Sequence, residues 1–167
     1  MGSEESDSSS PPLSGDETIL SQFIENMGLH FEQYDIPRIG GKILGLLLVA
    51  SRPVSPEEMS EILQASRSSI STNLRTLSMV GVIEQVSVPG ERSDYYIFAD
   101  DAWQELLEIR LENIQDLREM TQHGQQGLLD QPEVSQRLEN AIAWTSKIEQ
   151  AYQNILQEWQ SGKQIPT

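Results

Sequence analysis

The chain has 167 residues, of which 37% are hydrophobic, with no cysteine and a formal net charge of −15. That length suits one ordinary domain or a small domain with helical arms, and the lack of cysteine excludes disulfides and thiolate chemistry. The most apolar run, residues 43–50, is far shorter than the roughly 20 residues of a membrane-spanning helix.

So negative a charge argues at first against a nucleic-acid partner, because phosphate contacts need Lys and Arg. The charge is unevenly distributed, however. Residues 1–35 contain eight acidic and no basic residues, residues 36–98 contain six of each, and residues 99–167 contain twelve acidic and five basic residues. A neutral segment between two acidic ones suits a protein that touches DNA through one face only.

Residues 1–16 are rich in Ser, Pro and acidic residues. This composition buries too little apolar area to offset the entropy of ordering, so we predict a disordered acidic tail. The segment lacks the basic and apolar regions of a secretory signal, and we expect a cytoplasmic protein.

Apolar residues then recur at helical spacing from about Glu17 to Tyr34, and Pro37 marks a boundary. We interpret residues 17–35 as an N-terminal dimerisation helix. A second helix is predicted over about Arg38 to Ser51. Its three glycines lower helix propensity but allow close helix packing.

Capping signals delimit the next two helices. The run Ser55-Pro56-Glu57-Glu58 combines a Ser N-cap, Pro at the first helical position and Glu at N3, which predicts a short helix that ends near Leu63. Ser66 is another N-cap candidate. It opens a fourth helix to about Val80, and Gly81 is the expected C-cap.

After the fourth helix the hydrophobic period changes to that of strands. One strand is predicted within residues 82–88, a turn over residues 89–94 and a return strand over residues 95–98. A long helix starts near Asp100 and is broken between Gly124 and Pro132. The last helix spans about Val134 to Gln160, and its apolar positions alternate by three and four as in a heptad seam.

This order of elements predicts a mainly α fold with a small β-hairpin wing, which is a winged helix-turn-helix. Residues 36–98 would form the DNA-binding domain and residues 99–167 the C-terminal helical dimerisation arms. Three amphipathic helices flank a domain too small to cover them all, so we expect a C₂ homodimer.

The second helix of such a motif lies in the major groove of DNA. In the fourth helix here, Ile70, Leu74 and Leu77 converge on one face and would anchor it to the core. No carboxylate occurs from Ser66 to Gly81. The opposite face and its flanks carry small hydroxyls and an arginine, which can read base edges. These candidate contacts are Ser68, Ser69, Ser71, Thr72 and Arg75, with Thr76 beside them.

Other basic residues are candidates for contacts to the DNA backbone. Arg92 lies at the hairpin tip, where a wing reaches the minor groove or flanking phosphates. Arg67 lies at the N-terminus of the fourth helix, where backbone N–H groups also favour phosphate. For Arg38, Lys42 and Arg52 a phosphate contact and an ordinary surface role are equally open.

Two stretches carry a resemblance to a known family. The core SRSSISTNLRTL (Ser66 to Leu77) and the wing GERSDYY (Gly90 to Tyr96) resemble the GbsR branch of the MarR-type regulators, and the similarity covers about residues 19–120. It implies a homodimer with two winged domains joined through N- and C-terminal helices. A repressor on a palindromic operator of osmoprotectant genes would fit this branch, since some members control glycine betaine uptake or synthesis and sense choline.

Such an effector is a quaternary ammonium ion, which has no N–H to donate and needs aromatic faces. Candidate residues lie where the wing meets the first long arm and where the first helix meets the winged domain. They are Phe31, Tyr34, Tyr95, Tyr96 and Trp103. Aromatic residues at helical spacing are more often part of a core.

We expect no enzyme, because His30 and His123 are isolated and the sequence has no metalloprotease motif, P-loop or nucleophile elbow. No cofactor, metal site or membrane contact is predicted. The competing hypothesis is a winged-helix module that binds another protein. A protein-binding fourth helix should expose apolar anchors, whereas the candidate face is polar.

Overall fold

In the computed structural model, residues 11–34, 36–127 and 132–162 are described. The chain folds as two compact units, residues 1–102 and residues 103–167. The helices and strands are α1 (Glu17–Glu32), α2 (Arg38–Val49), α3 (Pro56–Ile62), α4 (Arg67–Val80), β1 (Ile83–Val86), β2 (Tyr95–Phe98), α5 (Ala102–Gly127) and α6 (Pro132–Gln160). In these ranges no helix is both long and apolar enough to cross a membrane.

Part of the N-terminal segment is hydrogen-bonded to later residues of the chain. Residues 1–10 of the expected tail lie outside the described ranges, but residues 11–16 make defined contacts. The carbonyl oxygen of Pro12 accepts hydrogen bonds from the backbone N–H of Ser51 at 2.9 Å and from its hydroxyl at 3.2 Å. Asp16 caps α1 by accepting from the N–H groups of Thr18 and Ile19. Pro12 and Asp16 of the described part of this segment thus have hydrogen-bond partners elsewhere in the chain, and the disordered tail stays a prediction.

Helices α1 and α2 cross closely because glycines line the crossing. A Cβ atom on Gly41 would lie 2.8 Å from the carbonyl oxygen of Met27 and 2.9 Å from the Cα of Gly28. A Cβ on Gly45 would lie 2.9 Å from the Cβ of Met27. Such approaches are shorter than real side chains allow. The predicted use of these glycines for close packing is confirmed.

The first unit has one core, built from α1 to α4 and the hairpin. Part of the apolar stripe of α1 is buried in this unit, so α1 contributes to its core. Helix α4 contributes Ile70, Leu74 and Leu77, as predicted. The other buried apolar residues of this unit are Ile24, Phe31, Ile43, Leu44, Leu46, Leu47, Val54, Met59, Leu63, Val82, Ile83, Tyr95 and Ala99, together with Ala102 at the boundary.

The hairpin is shorter in its first strand than predicted. Strands β1 and β2 pair antiparallel, with Ile83 opposite Phe98 and Val86 opposite Tyr95. Val54, just before α3, extends the pairing, because its N–H and carbonyl both bond to the backbone of Tyr96 at 3.0 and 2.9 Å. This bridge ties the hairpin to the segment that leads into the helix-turn-helix.

The second unit contains two antiparallel helices. Glu149 of α6 accepts a hydrogen bond from the Gln115 amide at 3.0 Å, and its other oxygen lies 2.8 Å from the Nε of Arg118. Helix α5 continues through Gly124 to Gly127, so the predicted break does not begin at Gly124; residues 128–131 lie outside the described ranges. One interior glycine costs a helix only about 1 kcal/mol relative to alanine, which the rest of α5 can absorb.

The seam of α6 also differs from the prediction near its end. Thr145 is fully buried and donates its hydroxyl to the carbonyl of Ala141 at 2.9 Å. Leu156 is buried, whereas the predicted seam residues Ile155 and Trp159 are partly exposed. The buried stripe therefore drifts off a strict heptad pattern, as expected for a straight helix with 3.6 residues per turn.

The glycine crossing yields a prediction with opposite signs at two positions. We expect Gly41→Ala to destabilise the protein by about 1–3 kcal/mol, because the added methyl group meets backbone atoms that cannot move away. Gly124→Ala is the matched control, since nothing lies within 4 Å of its would-be Cβ. It should stabilise α5 by roughly 0.5–1 kcal/mol. The measurement is the free energy of unfolding in urea, and equal effects of the two substitutions would contradict the close crossing.

Candidate nucleic-acid interface

Local capping sets the position of α4. The side chain of Ser66 accepts from the N–H of Ser69 at 3.2 Å, and Gly81 ends the helix in the left-handed conformation with φ 81°. Both caps were predicted. The turn from α3 is closed by the hydroxyl of Ser60, which donates to the carbonyl of Ala65 at 2.6 Å. Helix α4 is thereby held at both ends and along its buried stripe.

The exposed side of α4 is a continuous polar surface with one apolar residue. At about 100° per residue, six of the exposed residues fall within an arc of about 120° centred on Arg75. We call them the outer face of α4: Ser68, Ser71, Thr72, Arg75, Ser78 and Met79. Ser69 is half-buried at the edge, and its carbonyl accepts from the buried Asn73 amide at 2.8 Å. Thr76 lies at the same edge and donates to the carbonyl of Thr72 at 3.2 Å.

A shallow groove of about 430 Å³ runs between α4 and the hairpin. It is lined by Ser71, Arg75, Ser78, Met79, Gln85 and Tyr96. Sequence reasoning did not select Ser78, Met79 or Gln85. The first two could have been found from the helical angle alone, since both lie within the arc around Arg75. Gln85 could not, because its place depends on strand register; its amide donates to the carboxylate of Asp94 at 2.7 Å.

Two of the predicted phosphate contacts are engaged elsewhere. Lys42 lies 2.5 Å from one oxygen of Glu25, and Arg38 lies 2.9 Å from the other. The hydrogen bonds from Lys42 and then Arg38 hold the pKa of the Glu25 carboxyl below its ordinary value of 4.5. The Lys42 side chain is only 13% exposed. The structure thus gives Lys42 a structural role rather than an open surface for phosphate, and Arg38 shares its charge with the same carboxylate.

Arg52 is occupied in a similar way. Its guanidinium lies 2.6 Å from Glu58, whose carboxylate also accepts from the N–H of Ser55 at 2.9 Å and completes the predicted capping box of α3. Burial raises the pKa of Glu58, but the hydrogen bonds from Arg52 and Ser55 outweigh it, so the pKa lies below 4.5. Arg52 therefore stabilises the start of α3.

The remaining basic residues of the neutral segment stay exposed. Arg67 begins α4, Arg75 is the centre of its outer face, and Arg92 lies in the loop between β1 and β2. Within the described ranges the salt bridges of this unit use Glu25 and Glu58, and none involves these three arginines. The basic residues of this segment that form no salt bridge therefore lie on α4 and in the hairpin loop.

Within the first unit, the structure does not gather the predicted effector residues into one cage. Phe31 is buried, while Tyr34 is 49% exposed and stacks obliquely on His30, with ring centroids 5.2 Å apart. Tyr95 and Tyr96 are neighbours in a strand, so they point to opposite faces of the hairpin. Burial raises the pKa of both phenols. Trp103, the fifth predicted residue, belongs to the second unit.

A cavity of about 520 Å³ lies elsewhere in the first unit. Its walls come from the N-terminal segment, the start of α1 and the end of α3, with Lys42 and Glu25 at one side. None of the predicted effector residues lines it. No group of three or more His, Asp or Glu side chains in the described ranges is placed to hold a metal ion.

Comparison with known proteins identifies the family. Residues 101–162 match the family described as MmpR5-like MarR family transcriptional regulator. The HTH-type transcriptional regulator MmpR5 of Mycobacterium tuberculosis (strain ATCC 25618 / H37Rv) is 34% identical over 119 residues, which is 71% of this chain and 72% of that protein. The chain belongs to the MarR family.

A solved structure extends the similarity to most of the fold. The crystal structure of a transcriptional regulator matches with a TM-score of 0.70 at 31% identity, covering 86% of this chain and 99% of the other. The predicted winged helix-turn-helix and MarR type are confirmed, and the chain is a DNA-binding transcriptional regulator rather than an enzyme. The family named by the match is MmpR5-like, so the GbsR branch stays a prediction.

Proposed function

We propose that this MarR-family regulator is a homodimeric repressor that reads a palindromic operator with the outer face of α4 and the hairpin. One observation carries the assignment of the reading surface. Of the six basic residues in residues 36–98, three form salt bridges with Glu25 or Glu58, and the three without a salt bridge lie on α4 and in the hairpin loop. Unneutralised guanidinium groups are what phosphate and guanine recognition require.

The proposed roles follow from position on these elements. Arg75 takes guanine bidentately in the major groove, and Ser68, Ser71 and Thr72 approach neighbouring base edges. Arg67 binds a phosphate at the helix N-terminus, where backbone N–H groups add to its charge. Arg92 binds the minor groove or its flanking phosphates. Ser69 and Lys42 drop out of the proposed contact set, because one is half-buried and the other is ion-paired.

A protein-binding winged helix is the alternative. Five of the six residues on the outer face of α4 are polar, which favours DNA over an apolar protein partner, and the relatives are transcriptional regulators. We place the protein in the cytoplasm with its DNA target. Repression is the proposed output, since a dimer bound across a promoter excludes other proteins from the same DNA.

The readout is tested with three arginine variants on an operator selected from a random duplex library. We expect Arg75→Ala to cost about 1–3 kcal/mol at one base position and to relax specificity there. Arg92→Ala should weaken binding to all sequences and reduce the salt slope by about one unit. The matched control is Arg38→Ala, which should change the slope less because Arg38 is ion-paired with Glu25.

Fluorescence anisotropy over a salt titration distinguishes these effects. Equal losses on selected and random DNA would make Arg75 a phosphate contact instead. A slope change for Arg38→Ala as large as that for Arg92→Ala would contradict the assignment of the reading surface from carboxylate pairing.

The proposed dimer rests on residues 17–35 and residues 99–167, which carry exposed apolar side chains. In the second unit Trp144 is 56% and Met120 65% exposed, with Leu117, Ile155 and Trp159 also partly exposed. Large exposed apolar side chains grouped on one pair of helices are typical of an association surface. MarR-family regulators act as dimers, which supports this interpretation.

We therefore expect Trp144→Glu to shift the full-length protein toward monomer at micromolar concentration, because a carboxylate would be buried without a partner. Gln157→Glu adds the same charge to the same helix at an exposed position and serves as the control. Sedimentation velocity measures both. A fully dimeric Trp144→Glu protein would remove this surface from the interface.

The effector implied by the GbsR resemblance is a separate proposal. Choline should bind and lower the affinity for the operator. Its site would need residues beyond the predicted aromatic residues of the first unit. A ligand shifts the equilibrium only through different affinity for two conformations. Calorimetric titration with choline and with glycine betaine, with and without operator, should therefore give two different choline Kd values. Identical values would exclude a choline switch, and no heat at millimolar ligand would exclude choline.

A further inference from the structure

One residue of the outer face of α4 is apolar. Met79 is 82% exposed, which is the highest value for a large hydrophobic side chain in the described ranges. It is not part of the core, which α4 reaches through Ile70, Leu74 and Leu77. Methionine is a good helix former, but so are Glu, Lys and Gln, which would leave no apolar surface in water. On a face that is otherwise polar, its thioether is accessible to a partner.

The position of Met79 ties it to the reading surface. It follows Arg75 by one helical turn, about 40° around the axis and about 6 Å along it. Both side chains line the groove beside the hairpin, together with Ser71. If Arg75 reaches the edge of one base pair, Met79 faces a base one or two steps away, since successive pairs are about 3.4 Å apart.

The chemistry of the side chain selects the base feature that it can contact. Methionine offers a flexible apolar chain with no hydrogen-bond donor and only a weakly accepting sulfur, so it is better suited to an apolar group than to the donors and acceptors of the base edges. The apolar group in the major groove is the 5-methyl of thymine. Resting on the proposed function, we infer that Met79 packs against a thymine methyl and makes thymine preferred over other bases at that position of each half-site.

The test removes either side of the contact: the thymine methyl group in the DNA, or the Met79 thioether in the protein. An operator is first selected from a random duplex library with the wild-type protein. Each thymine is then replaced by deoxyuridine, in both half-sites at once, which deletes the methyl and keeps the base pair. Affinities are measured by anisotropy for the wild type, Met79→Ala, Met79→Leu and the neighbouring variant Ser78→Ala.

We expect one thymine position per half-site at which deoxyuridine, placed in both half-sites, lowers wild-type affinity about fifteenfold, the equivalent of about fourfold for one methyl-sized group left unburied in each half-site. Met79→Ala should bind the thymine and deoxyuridine operators equally. Met79→Leu should keep part of the preference, and Ser78→Ala should keep all of it. Because Met79 contributes nothing to the core, Met79→Ala should unfold at the same temperature as the wild type.

The possible failures are distinguishable. A wild-type protein that selects no sequence overturns the proposed function and this inference with it. A selected operator on which Met79→Ala keeps the full deoxyuridine penalty overturns the inference alone. So does a wild type that is insensitive to deoxyuridine everywhere; if Met79→Ala then also shifts the oligomeric state in sedimentation, the exposed thioether belongs to a protein contact.

Discussion

The buried stripe of α4 is the constraint on which the reading surface depends. Ile70, Leu74 and Leu77 hold one side of the helix in the core, and Asn73 bonds back to the carbonyl of Ser69. A Cβ on Gly40 of α2 would lie 2.8 Å from the Asn73 side-chain oxygen, so α2 approaches α4 closely at this point. A helix rotated by one residue would turn each side chain by about 100°. The packing therefore decides which residues of α4 face outward, and only those residues are available to contact DNA.

Electrostatics restricts where a protein of charge −15 can meet DNA. At long range the net charge opposes approach, but exposed charges are screened beyond about 8 Å at physiological ionic strength. Attraction must therefore come from arginines close to the phosphates. Glu25 and Glu58 form salt bridges with the basic residues of α2 and of the α2–α3 connection, so the arginines of this segment without a salt bridge are those on α4 and in the hairpin loop. Acidic residues elsewhere then disfavour non-specific binding in other orientations.

Sequence reasoning was sound where the signals are local. The Ser55 and Ser66 caps, the C-cap at Gly81 and the strand at residues 95–98 lie where the sequence predicts them, since each depends on a few neighbouring residues. The salt bridges of Lys42 and Arg38 could not be predicted, because Glu25, which binds both, belongs to another helix and lies thirteen or more residues away. Tyr95 and Tyr96 of β2 lie on opposite faces of the hairpin because side chains alternate along a strand, so the two rings do not share one side of it.

The second unit shows how polar groups can define a helix pairing. Glu149 is 15% exposed, with Arg118 and Gln115 of α5 at its two oxygens. Desolvating such a pair offsets much of its attraction, so its net stabilisation is small. Sliding α6 by one turn would nevertheless separate the half-buried Glu149 carboxylate from the Gln115 amide and the Arg118 guanidinium. The network therefore contributes less to the stability of the helix pair than to its register.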